Sequence, residues 1–227
     1  MRVLIAGQKR FGRDVAQLVI DHGWEVLAIS CPVHVGGELD KLHILALNNG
    51  LPVIPAGQLR AERVPEGCDL IIAAHCHDFI SRKTRNRARL GAVGYHPSLL
   101  PLHRGRSAIE WALRMGDTVT GGSLYWLNET VDGGPLAAQE HVFIRPGDTA
   151  RELWARDLAP LGLTLFAELL HRLDQGELPR TPQNHRLATW EPALAGVPPL
   201  HRPELEQLCE NAAAYAASCC GSPDCRP

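Results

Sequence analysis

The chain has 227 residues, 45% hydrophobic and 21% charged, with a formal net charge of −2. This is the balance of one soluble globular domain with a short appendage, large enough to fold without disulfides or metal. It excludes a dedicated nucleic-acid or membrane-surface binder, whose footprint is basic, and no apolar run approaches the ~18 residues of a membrane span.

Residues 1–7 carry too short an apolar core for a signal peptide, so a cytoplasmic location is expected. The run at 2–6 (RVLIA) stops at Gly7 and predicts a buried strand. Val15, Leu18, Val19 and His22 then share one helical face, ended by Gly23. Residues 25–29 (EVLAI) predict a second strand, 38–48 a helix stopped by Asn49 and Gly50, and 52–54 a short strand. A fourth strand is expected at 69–74, a basic surface helix at 81–89, and a fifth strand at 90–95. Such alternation implies parallel crossovers: an α/β fold with a doubly wound, mostly parallel, Rossmann-like sheet.

The rhythm changes after the loop at 96–106. Residues 107–115 read as a helix, and 122–127 and 135–143 as two β-rich segments joined by a turn-rich stretch at 128–134. A long amphipathic helix follows. Asp148 or Thr149 is its cap, and Leu153, Trp154, Leu158, Leu161, Leu165 and Leu169 face the core. The expected organisation is one catalytic domain over residues 1–178 and an irregular, proline-rich tail over 179–227. Of seven cysteines, four (Cys209, Cys219, Cys220 and Cys225) crowd that tail. Their spacing lacks two C-x-x-C pairs and histidine partners, so no metal site is expected.

In an open α/β sheet, ligands sit beyond the carboxyl ends of the strands. The first such loop, residues 7–12, lacks the G-x-G-x-x-G spacing that lets backbone approach a pyrophosphate, and Phe11 sits inside it. Residues 75–81 (HCHDFIS) place His75, Cys76, His77 and Asp78 at a strand end, where they read as pocket lining rather than metal ligands. His96 tops the fifth strand, followed by two stiffening prolines, Pro97 and Pro101. Asp132 lies in a loop whose glycines permit close approach. At one crevice the two would make a proton-transfer pair, the carboxylate holding and charging the imidazole or ordering a water beside it.

The sequence His96-Pro97-Ser98-Leu99-Leu100-Pro101, then Arg104-Gly105, then Val131-Asp132-Gly133-Gly134-Pro135, resembles the folate-dependent formyltransferase family. The likeness covers roughly residues 1–175 and is strongest over 70–145. It implies 10-formyltetrahydrofolate as formyl donor and transfer, through a tetrahedral intermediate, to the amine of a small-molecule acceptor. The resemblance assigns His96 to the developing oxyanion and Asp132 to positioning and proton shuttling. It aligns Cys76, His77, Asp78, Phe79 and Ile80 with the strip that cradles the pterin-like ring. Asn128, Glu129, Thr130 and Val131, with Asp132, align with the loop that closes over it.

One position departs from the pattern. The family's asparagine, two residues before the histidine, is Gly94 here. Losing one donor to a developing oxyanion costs about 3–4 kcal/mol unless another group replaces it, and His75, His77, Asn128 or a water are the candidates. The hydrolase domain of 10-formyltetrahydrofolate dehydrogenase also lacks that asparagine and is the most similar member in motifs, including Gly7-Gln8-x-x-Phe11-Gly12. Hydrolysis of the donor, with formate release, is the alternative activity. The glycine-rich phosphate loop of glycinamide ribonucleotide formyltransferase is not matched, and the acidic tail argues against a tRNA substrate. Apolar residues between 186 and 205 can cover a second copy, so a homodimer is one expectation.

Overall fold

Apolar residues on both faces of Arg2–Gly7 (β1) put this strand at the centre of a sheet: Val3, Leu4, Ile5 and Ala6 are all buried. The computed structural model describes residues 1–194. Around β1 lie Glu25–Cys31 (β2), a small hairpin of His34–Val35 (β3) and Glu38–Leu39 (β4), and Val53–Pro55 (β5). Leu70–Ala74 (β6), Ala92–His96 (β7), Val119–Trp126 (β8) and Leu136–Phe143 (β9) complete the strands. The main sheet has seven strands in the order β5-β2-β1-β6-β7-β8-β9, with β8 and β9 antiparallel at one edge. The chain runs outward from β1 to β5, then returns to β6 on the other side of β1. The crevice at the carboxyl ends of β1 and β6 is therefore the topological switch point where such sheets bind ligands.

The helices are Lys9–Asp21 (α1), Lys41–Asn48 (α2), Arg82–Arg85 (α3), Ala108–Met115 (α4), Ala150–Leu153 (α5) and Ala159–Asp174 (α6). Helix α1 buries Phe11, Val15, Ala16 and Val19, while α6 buries Leu165, Phe166, Leu169 and Leu170 in the same core. The opposite face of the sheet is covered by Leu59, Val64, Ile80 and Ala88.

Three helix expectations are corrected. The helix over 38–48 begins only at Lys41, because the Asp40 carboxylate caps it, accepting from the amides of Leu42 and His43. The helix over 81–89 is a single turn, capped by Ser81, and it buries Thr84 and Arg85 rather than lying on the surface. The long helix is capped by Thr149 through a reciprocal box with Glu152, but a π-turn, Trp154–Leu158, interrupts it. Pro160 has no amide hydrogen to close an ordinary turn, and buried Leu153 and Leu158 are five residues apart, the hydrogen-bond spacing of a π-turn.

Beyond residue 178 the chain is irregular yet tied to the sheet: Thr181 bridges Leu136, and the Trp126 indole donates to Pro179 O at 2.7 Å. The expected tail cysteines, and the part of segment 186–205 beyond Leu194, lie outside the described residues. Among those described, Leu187 and Trp190 are exposed. No described helix is long and apolar enough to cross a membrane.

Candidate active site

His96 is the last residue of β7 and is buried. Its Nε2 lies 2.7 Å from the carbonyl oxygen of His103. A carbonyl only accepts, so Nε2 carries a proton and donates, and in the neutral ring Nδ1 keeps its lone pair. That free nitrogen faces Asp132, with Nδ1 3.6 Å from Oδ2. The gap is too long for a direct hydrogen bond and leaves two acceptors looking at each other. A group bearing a proton, such as an amine or a water, completes the arrangement, as does an imidazolium.

Asp132 is held by its surroundings from three sides. Tyr125 OH donates to Oδ1 at 2.6 Å, Gly105 N donates to Oδ2 at 2.8 Å, and Gln183 Nε2 donates to the Asp132 backbone oxygen at 2.9 Å. Its backbone is left-handed, with φ of 50°, an uncommon state for a non-glycine residue. The same Gln183 donates to Gly134 O at 2.7 Å and accepts from the buried Arg104 guanidinium at 2.6 Å. Burial pulls Arg104 down from its ordinary value, against the opposing pull of the Asp132 charge.

These groups open onto a cavity of about 730 Å³ beyond the carboxyl ends of β6 and β7, within the size range of small-molecule sites. Of the expected binding residues, Cys76, His77, Asp78, Phe79, Ile80, Asn128, Thr130 and Val131 all line it, as do His96 and Asp132. Glu129 does not. It pairs with Arg85 at 3.1 Å and Arg82 at 3.7 Å, facing a neighbouring cavity of about 520 Å³. Phe79 is 71% exposed and Val131 52%, so two apolar side chains flank the mouth uncovered among the described residues.

The far wall is aromatic. Phe11 lies 5.3 Å from the Tyr95 ring and 5.2 Å from Trp154, centroid to centroid. The glycine that ends β1 is needed by the sheet itself. A Cβ on Gly7 would stand 2.1 Å from Ala74 O, so this glycine serves strand-to-strand approach. His75 follows β6 in a left-handed conformation, φ 57°, instead of continuing the strand. Its ring is 5.2 Å from His77 and 6.1 Å from Trp154. Burial, then the Lys9 charge, lowers its pKa to about 4. His77 is lowered as well, chiefly by burial, and its Nδ1 is 3.0 Å from Gln8 Nε2. Both rings therefore favour the neutral form, and the wall they make is weakly polar. Burial raises the Cys76 thiol to about 11, which makes it a poor nucleophile. Among the described residues no group of three or more His, Cys, Asp and Glu side chains is arranged to hold a metal ion.

Residues 57–162 match the formyl transferase family model. The mitochondrial 10-formyltetrahydrofolate dehydrogenase of Mus musculus is 33% identical over 201 residues, 84% of this chain and 22% of that protein. The methionyl-tRNA formyltransferase of Lactobacillus delbrueckii subsp. bulgaricus is 31% identical over 204 residues, 85% of this chain and 64% of that one. The chain is a formyltransferase-family protein. It spans about a fifth of the length of the dehydrogenases it matches. An N-formyltransferase of Helicobacter canadensis, solved with folinic acid and dTDP-3-aminofucose, shares the fold with a TM-score of 0.70 at 18% identity, over 83% of this chain and 70% of that one. The formyltransferase fold thus carries His96 and Asp132 to one crevice in this chain.

Sequence reasoning missed Tyr125 and Gln183. Tyr125 was legible only through register, since it stands opposite Gly94 across β7 and β8. Gln183 lies 51 residues from Asp132 in an irregular segment, and no local signal marks it.

Proposed function

We propose that this protein transfers the formyl group of 10-formyltetrahydrofolate to the amine of a small-molecule acceptor. The observation that carries the reading is the His96 Nδ1 to Asp132 Oδ2 spacing of 3.6 Å at the floor of a cavity lined by residues 76–80 and by Asn128, Thr130 and Val131. In the proposed reaction the amine nitrogen bonds to the formyl carbon and its proton passes to Asp132. Protonated His96 donates to the oxygen that gains negative charge, and as the carbonyl reforms the tetrahydrofolate nitrogen leaves with the proton that Asp132 took from the amine. The family relatives named for 10-formyltetrahydrofolate and the neighbour solved with folinic acid support a reduced folate as donor.

A second reading has water in place of the amine, so that formate is released. The missing side chain at Gly94 and the likeness to the dehydrogenases favour it. Incubation with 10-formyltetrahydrofolate, alone and with a panel of amino sugars and amino acids, separates the two. An N-formyl product in step with tetrahydrofolate supports transfer. Steady formate release without amine supports hydrolysis, and neither product would overturn both.

A further inference from the structure

Tyr125 stands directly opposite Gly94 in the antiparallel pairing of β7 with β8, and residues so opposed share a face of the sheet. A Cβ at Gly94 would meet Leu127 Cδ1 at 3.0 Å and the Tyr125 ring at 3.5 and 3.6 Å. The phenol ring therefore walls the space that a side chain at position 94 would enter, and its hydroxyl reaches past that space to Asp132. Burial first, then the negative charge and hydrogen bond of Asp132 and the nearby Cys76, push this phenol well above its ordinary range. It is a neutral donor at any working pH.

Asp132 has need of such a donor. The bond from Gly105 N fixes Oδ2 alone, leaving the carboxylate free to turn about its own axis. The bond from Tyr125 fixes Oδ1 as well, and two anchors define the plane. In that plane Oδ2 faces His96 Nδ1.

We propose that Tyr125 is a positioning residue of the reaction, its hydroxyl locking the Asp132 carboxylate toward His96 in a site where position 94 offers no side chain. This rests on the formyl-transfer reading of the site. Tyr125→Phe keeps the ring beside Gly94 and removes only the hydroxyl, so the fold is retained.

The test compares steady-state tetrahydrofolate formation from 10-formyltetrahydrofolate, alone and with the panel of amino sugars and amino acids, for the wild type, Tyr125→Phe, Asp132→Asn and the double variant, alongside binding of 5-formyltetrahydrofolate. Losing one hydrogen bond to a charged group predicts a kcat about 10- to 100-fold lower in Tyr125→Phe, with KM and analogue binding unchanged. Because the hydroxyl acts through Asp132, the phenylalanine adds no further loss to Asp132→Asn. A Tyr125→Phe kcat within twofold of wild type overturns the proposal, as do losses that multiply in the double variant or weakened analogue binding that matches the loss of rate. A wild type without turnover overturns the formyl-transfer reading itself, and this proposal with it.

Discussion

His96 and His103 are joined by one bond, from Nε2 of the first to the backbone oxygen of the second at 2.7 Å. His103 is itself pinned. It has φ of 53°, its Nε2 lies 2.8 Å from Asp117 Oδ2, and its amide donates to Thr189 Oγ1 at 2.8 Å. The orientation of the reactive imidazole is thus set by a loop anchored to helix-end and C-terminal segments rather than by β7 alone. Replacing the carbonyl's anchor is not needed to probe the chemistry, because the reacting edge of the ring faces Asp132.

Asp132→Asn keeps the shape of the loop and removes the negative charge and the proton acceptor. Turnover of 10-formyltetrahydrofolate is expected to fall by about 10²- to 10⁴-fold while 5-formyltetrahydrofolate still binds. Steady-state kinetics beside a binding titration check this, and full activity in the variant contradicts the assignment.

Stability should fall in acid because of His75. Its pKa is lowered from 6.5 to about 4 by burial and the Lys9 charge, so between those values the unfolded chain binds more protons than the folded one. The folded state is then at its full advantage above the unfolded value and loses ground as pH drops through the window. His75→Asn tolerates the left-handed backbone and removes the titration. The difference in Tm between pH 7.5 and pH 5 should shrink in this variant, and an unchanged difference would speak against His75 as the cause.

Gly7→Ala places a methyl 2.1 Å from the Ala74 carbonyl oxygen, and both partners are backbone at the centre of the sheet. Neither β1 nor β6 can give way without disturbing its neighbours, so a loss of about 1–3 kcal/mol or more is expected. Urea unfolding measures it. A variant as stable as wild type would show that the strands separate more easily than their burial suggests.

Gln183→Leu fits the space but withdraws donors from Asp132 O and Gly134 O and an acceptor from Arg104. Orphaning buried polar groups costs about 1–3 kcal/mol, and the loop carrying Asp132 loosens with it. Lower Tm together with a lower kcat is the expected pair of results. A drop in Tm alone would confine Gln183 to the scaffold.

Alternation of short apolar runs with helical patterns made the parallel sheet legible from the chain alone, because strands buried on both faces read as continuous runs such as Val3–Ala6. His96 and Asp132 were legible through the loops that hold them. Their partners were not, because each belongs to a distant segment. Tyr125 looks like an ordinary strand aromatic until the register pairs it with Gly94, and Gln183 approaches Asp132 only once the irregular chain past α6 has folded back. Helix lengths failed for local reasons. Asp40 starts one helix late, and Pro160 forces a wide turn into another, which no period of 3.6 anticipates.

The wide turn at Trp154–Leu158 carries a rule for anyone who edits this chain. It inserts one residue between two helical halves whose buried faces would otherwise fall out of phase, and Trp154 meets both Phe11 and His75 from that turn. Deleting a single residue such as Ala155 would let the segment rewind as an uninterrupted α-helix. Leu153 and Leu158 would then stand four apart and keep one face, so α6 would hold its register while the widened turn that presents Trp154 to the cavity closes, a change in count rather than in chemistry.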